Sequence, residues 1–181
     1  MTLIYLIRHG QSKGNKHYQQ TGQPIVGAGE LGTDLSEVGK EQIKETLEKL
    51  KHLEIVAIYS SDMIRTHESA LIVASHFNLP VTTTSRLREH HINEETQEQG
   101  ANRLKDYLSE IETKHADKKV LVVTHGALMR MFLISLGFAR NEDELPGGTV
   151  ENGAFVKLIL NNGDIEIKDT YKVSKVASLI N

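Results

Sequence analysis

The sequence predicts an α/β protein, a three-layer α/β/α sandwich built on a mostly parallel mixed sheet, and three observations carry that expectation. Short apolar runs at Leu3 to Ile7, Ile55 to Tyr59 and Val120 to Val123 have the length and β-branched content of buried strands, and Val81 to Leu87 reads as a further strand. Between them lie longer stretches whose apolar residues fall at helical spacing, the alternation that covers a parallel sheet with helices. From Gly153 the pattern changes to an apolar run, a turn at Asn161-Asn162-Gly163-Asp164 and alternating Ile165 and Ile167, a hairpin that makes the sheet mixed.

Taken in order, the first strand, Leu3 to Ile7, stops abruptly at Arg8-His9-Gly10. The segment Lys16 to Asp34, with four glycines and Pro24, reads as a long irregular excursion at the rim of a site. Ser36 is a candidate N-cap for a helix from Glu37 to Lys51, on which Ile43, Leu47 and Leu50 recur at helical spacing. The strand Ile55 to Tyr59 leads into Ser60-Ser61-Asp62, where Asp62 is expected to cap a helix carrying Ala70, Val73, Ala74 and Phe77 inward. That helix holds Arg65 in its first turn, beside the positive end of the dipole, a position that suits a cation only when an anion is bound nearby. The strand Val81 to Leu87 runs into Arg88-Glu89, and Leu104, Leu108 and Ile111 mark the next amphipathic helix. Val120 to Val123 ends in Thr124-His125-Gly126, followed by a nearly all-apolar helix from about Ala127 to Leu136.

Size and composition bound the function. A chain of 181 residues is expected to form a single domain, 1–181, able to bury roughly two-thirds of its unfolded surface. Net charge is -3, which argues against a general nucleic-acid binder and makes any anion site a local one. With no cysteine there is no thiolate nucleophile, disulfide or cysteine zinc site. No apolar run approaches the roughly 18 residues of a membrane span, and the apolar start lacks the basic flank and length of a signal peptide. Cytoplasmic residence is the expectation.

Four strand ends carry reactive or charged groups: Arg8 and His9, then Ser60 to Arg65, then Glu89, then His125. Parallel strands bring their carboxyl ends to one edge, so these residues are expected to converge. Two guanidiniums and two imidazoles around one carboxylate suit a phosphoryl group, because guanidinium forks match its oxygens. A neutral histidine, with its other ring nitrogen held by a backbone carbonyl, is a nucleophile for phosphorus. A carboxyl group then protonates the departing alkoxide and accepts a proton from the attacking water. Neither a His-Glu-x-x-His spacing nor a carboxylate-rich neighbourhood supports a metal site, so no metal or other cofactor is expected.

These blocks resemble the histidine phosphatase superfamily, in its phosphoglycerate mutase-like branch. The resemblance rests on Arg8-His9-Gly10 with Asn15, Leu35 to Gln42, Tyr59 to Thr66 with Ala70, Leu87-Arg88-Glu89 and Thr124-His125-Gly126, in that order from Thr2 to about Leu160. It implies that His9 is phosphorylated, that Arg8, Arg65 and His125 form the phosphate pocket with Asn15 and Gly126 assisting, and that Glu89 is the proton donor. After Glu89 the family often continues with glycine and a tryptophan-glutamate-glycine sequence, whereas this chain reads His90-His91-Ile92-Asn93-Glu94-Glu95. That departure keeps Glu94 and Glu95 open as alternative proton donors. The expected function is a metal-independent phosphomonoesterase acting on a small phosphorylated substrate. A phosphoglycerate mutase-type phosphotransferase and a non-catalytic module binding phosphorylated ligands are the alternatives.

Overall fold

A computed structural model describes residues 1–27, 29–90, 94–141, 144–145 and 150–173. Six strands form one mixed sheet: β1 (Thr2–Arg8), β2 (Ile55–Ser61), β3 (Val81–Thr84), β4 (Lys119–Thr124), β5 (Phe155–Asn161) and β6 (Asp164–Tyr171). Their spatial order is β3-β2-β4-β1-β5-β6. The four strands from β3 to β1 run parallel, while β5 pairs antiparallel with both β1 and β6. The predicted hairpin therefore supplies the antiparallel edge.

Among the described residues five α-helices accompany the sheet: α1 (Lys13–Thr21), α2 (Glu37–Leu50), α3 (Ile64–Phe77), α4 (Gln97–Lys114) and α5 (Gly126–Ser135). Side chains alternate across a strand, so β1 sends Ile4 and Leu6 to one face and Tyr5 and Ile7 to the other. The first pair packs with Val120 and Val122 against Leu104, Leu108, Phe132 and Leu133 of α4 and α5. The second packs with Leu121 and Val123 against Ile43, Leu50, Ala70 and Val73 of α2 and α3. Two cores, one on each face, explain why β1 and β4 read as continuous apolar runs rather than as alternating ones.

Three expectations are corrected. The segment after Asn15 is not wholly irregular, since α1 occupies Lys13–Thr21 before the glycine-rich loop begins. Ser12 and Asn15 form a reciprocal capping box at its start, and Gly22 closes it in the left-handed conformation at φ 69°. The helix buries no residue, so it offers no apolar period to read. The third strand ends at Thr84, and Ser85–Leu87 form a 3₁₀ turn that bends the chain before Glu89. Asp62 does not cap α3, whose N-cap is Met63 without a side-chain bond. Its carboxylate instead binds Arg88 through two bonds of 2.8 Å. Among the described residues no helix is long and apolar enough to cross a membrane.

Candidate active site

Sheet register brings the two histidines together. Parallel pairing sets Arg8 opposite Thr124, and the amide of His9 donates to the Thr124 carbonyl at 3.0 Å. His9 and His125 are thus the first residues beyond two adjacent strand ends. Their ring centroids lie 5.2 Å apart, and both side chains are buried. From β2, the other neighbour of β4, the chain turns into α3 and delivers Arg65, whose Nε donates to Nε2 of His9 at 3.1 Å. The Thr124 hydroxyl donates to the Leu87 carbonyl at 2.8 Å, tying the 3₁₀ turn and so Glu89 to the same edge.

The loop after β1 is held by backbone packed against backbone. A Cβ on Gly10 would stand 2.2 Å from the Gly39 carbonyl oxygen, and one on Gly39 would stand 2.0 Å from the Gln11 oxygen. Only glycine at both positions permits this approach of α2 to the loop. Further ties come from the Gly10 amide, which donates to Ser69 at 3.2 Å, and from the Gln11 amide, which donates to Gln42 at 2.8 Å. On the other side, the Asn152 side-chain amide donates to the His9 carbonyl at 3.1 Å.

Nδ1 of His9 lies 2.6 Å from the Gly10 carbonyl, which can only accept. Nδ1 therefore carries the proton, and the lone pair is on Nε2. Burial lowers the pKa of His9 well below the ordinary imidazole value, and the charges of Arg65 and Arg8 lower it further. For His125 burial again acts first, reinforced by His9, Arg65 and Arg8. Neither ring nitrogen of His125 has a hydrogen-bond partner among the described residues. Nε of Arg8 is likewise buried without one, although its Nη1 donates to the Val150 carbonyl at 2.6 Å. Buried orphan donors around a lone pair describe a cradle for an anion.

The remaining predicted residues have distinct surroundings. Gly126 allows Arg8 close approach, since a Cβ there would stand 2.8 Å from Arg8 Nε. Glu89 lies across the start of α5, its Oε1 accepting from the Leu128 amide at 2.9 Å and from the His90 amide at 3.1 Å. Oδ1 of Asn15 accepts from the Ser12 amide at 3.1 Å, which leaves its NH₂ as the group able to meet an anion. Glu95 is gripped by Arg103, with one bond of 3.0 Å from Nε and a second from Nη2. Glu94 lines the cavity beside Glu89. His91, Ile92 and Asn93 lie outside the described residues.

That cavity, of about 770 Å³, opens next to Arg65 and Glu89 and is also lined by Glu30, Met63, Arg88 and His90. Sequence reasoning did not find Gly39, Ser69, Gln42 or the Arg88 contacts. Gly39 and Arg88 were within view, inside the ordered blocks that contain Ser36 and Glu89, but their partners are remote in sequence.

The chain is also similar to known proteins in sequence and fold. The family model described as histidine phosphatase superfamily (branch 1) matches residues 4–97 and 91–172. A metal-independent phosphoserine phosphatase of Arabidopsis thaliana is 28% identical over 185 residues, covering 83% of this chain and 75% of that protein. Phosphoserine phosphatase 1 of Hydrogenobacter thermophilus is 29% identical over 170 residues, covering 75% of this chain and 76% of that one. Among solved structures, Bacillus stearothermophilus YhfR superposes with a TM-score of 0.78 at 20% identity, covering 96% of this chain and 98% of that one. A phosphoglycerate mutase from Bacillus anthracis superposes at 0.73 with 21% identity, covering 92% and 91%. Shared fold thus spans hydrolases and mutases, and the choice between them belongs to the site.

Proposed function

The chain belongs to the histidine phosphatase superfamily, and on that premise we propose that it is a phosphomonoesterase working through a phosphohistidine on His9. The observation that carries the reading is the fixed tautomer of His9, which leaves Nε2 unprotonated among two guanidiniums and the unpartnered nitrogens of His125. In this reading Arg8, Arg65 and His125 hold the phosphoryl oxygens, with Asn15 and the N-terminus of α5 at Gly126 adding donors. Nε2 attacks phosphorus in line with the leaving oxygen, and Glu89 gives that oxygen a proton. A water then attacks the phosphohistidine, Glu89 takes up its proton, and inorganic phosphate departs. Permanent guanidinium charge neutralises the transferring group, so the reading requires no metal.

The same reading takes residues 1–181 as one catalytic domain in the cytoplasm, acting on small phosphorylated metabolites. Hydrolysis rather than mutase chemistry is supported by the relatives named as phosphatases, and the cavity beside Glu89 leaves room for a water within reach of that carboxylate. Two relatives are named for phosphoserine, which therefore heads the panel of substrates. The experiment is release of inorganic phosphate from phosphoserine, sugar phosphates and phosphoglycerates in the presence of EDTA. Stoichiometric release supports a phosphatase; isomerisation of phosphoglycerate with little release assigns a mutase; tight binding of the panel without turnover assigns a binding module.

A further inference from the structure

We propose that Arg88 is the receptor for a carboxylate on the leaving group, and that Glu30 competes with that carboxylate for it. The proposal rests on the phosphatase reading and deepens it to a substrate class: small phosphomonoesters of carboxylic acids. Asp62 holds Nε and Nη2 of Arg88 through two bonds of 2.8 Å, so the guanidinium is fixed in a bidentate grip. Its Nη1 donates to Glu30 at 2.7 Å. The two carboxylates are not equivalent. Glu30 and Arg88 line the cavity beside Glu89 and Arg65, and Asp62 does not. Asp62 backs the guanidinium, and Glu30 meets it from the cavity side.

Glu30 is suited to exchange. Its side chain is 80% exposed, against 30% for Asp62, so its ion pair is screened by water and weak. Positive-φ glycines flank it at Gly29 and Gly32, and the Gly32 amide closes the turn on the Gly29 carbonyl at 3.2 Å. The turn is anchored at its far end by the Ile64 amide, which donates to the Leu31 carbonyl at 3.1 Å. Gly32 itself lies against Arg65, where a Cβ would stand 2.7 Å from Nη1. The turn thus touches both guanidiniums, Arg65 through Gly32 and Arg88 through the Glu30 carboxylate, and both line the same cavity. A substrate carboxylate displaces Glu30 and takes over its bond to Nη1.

Phosphoserine and phosphoethanolamine differ only by the carboxylate, so the ratio of their kcat/KM values isolates this contact. The ratio is expected to favour phosphoserine in the wild type and to fall roughly ten- to hundredfold in Arg88→Gln, the worth of a charge-assisted hydrogen bond. Arg88→Lys restores part of it. Glu30→Gln removes the competitor and raises the ratio about two- to fivefold, a test that stands even if Arg88→Gln fails to fold. A wild-type ratio near one, an equal loss on both substrates in Arg88→Gln, or a ratio that does not rise in Glu30→Gln would overturn the proposal. Failure to hydrolyse either substrate or para-nitrophenyl phosphate overturns the phosphatase reading and this proposal with it. Hydrolysis of para-nitrophenyl phosphate without the selectivity overturns this proposal alone.

Discussion

Nε of Arg65 lies 3.1 Å from Nε2 of His9, donating to the ring nitrogen that the Gly10 carbonyl leaves unprotonated. Both contacts demand the same tautomer, since arginine only donates and a carbonyl only accepts. The histidine is thus held neutral and aimed before any substrate arrives, and the guanidinium that holds it is one that a phosphoryl oxygen would claim.

His9 is accordingly expected to remain in the neutral Nδ1–H form at and below pH 6.5, because burial and then Arg65 and Arg8 all oppose its protonation. Nitrogen-15 NMR of the imidazole rings, assigned with His9→Gln, reads this directly. An Nε2 that titrates at the ordinary value of 6.5 contradicts it.

Stability should depend on acid through the same residues. His9 and His125 are depressed in the folded state, so below the unfolded value of 6.5 the unfolded chain binds protons that the native chain refuses. Their contribution is fully present above that pH and is lost as the pH falls below it. The expected decline is up to about 1.4 kcal/mol per pH unit for each group. Denaturant titrations from about pH 7.5 to about 5.5 should show a shallower slope in His125→Gln than in the wild type. An unchanged slope contradicts the buried neutral imidazole.

Glu89→Gln should lower kcat on alkyl phosphomonoesters by roughly 10²–10⁴ if Glu89 is the proton donor. The loss should be much smaller on para-nitrophenyl phosphate, whose leaving group needs no proton. Glu95, held by Arg103, should cost less than tenfold as Glu95→Gln once folding is matched, since about tenfold marks the lower edge of a catalytic proton transfer. A larger effect of Glu94→Gln than of Glu89→Gln would reassign the role.

Gly39→Ala tests the backbone contact beneath the nucleophile. Its Cβ would stand 2.0 Å from the Gln11 oxygen, so the loop carrying His9 must move. Overpacking of this kind costs roughly 1–3 kcal/mol of stability, and the displaced loop should lower kcat at temperatures where the variant remains folded. Unaltered thermal stability and turnover would show that the loop does not depend on this approach.

Much of this arrangement was legible in the sequence because it follows from the sheet. Apolar runs at Leu3 to Ile7 and Val120 to Val123 read as buried strands, and parallel pairing alone carries Arg8, His9 and His125 to one edge. What escaped has no hydrophobic period or depends on a partner remote in sequence. The exposed helix α1 has no buried residue to give it a period. Asp62 stands where a cap belongs, yet Arg88, 26 positions along the chain, claims its carboxylate. Gly39 shows its purpose only when Gln11 is laid against it.

During turnover the phosphoryl group is expected to rest covalently on Nε2 of His9. Rapid quenching of the protein with a radiolabelled phosphomonoester, followed by peptide mapping, tests it most directly. An acid-labile, alkali-stable phosphoryl adduct is expected on the peptide containing His9, absent in His9→Ala. An adduct that persists in His9→Ala, or turnover by the wild type with label on no residue at any quench time, would contradict it.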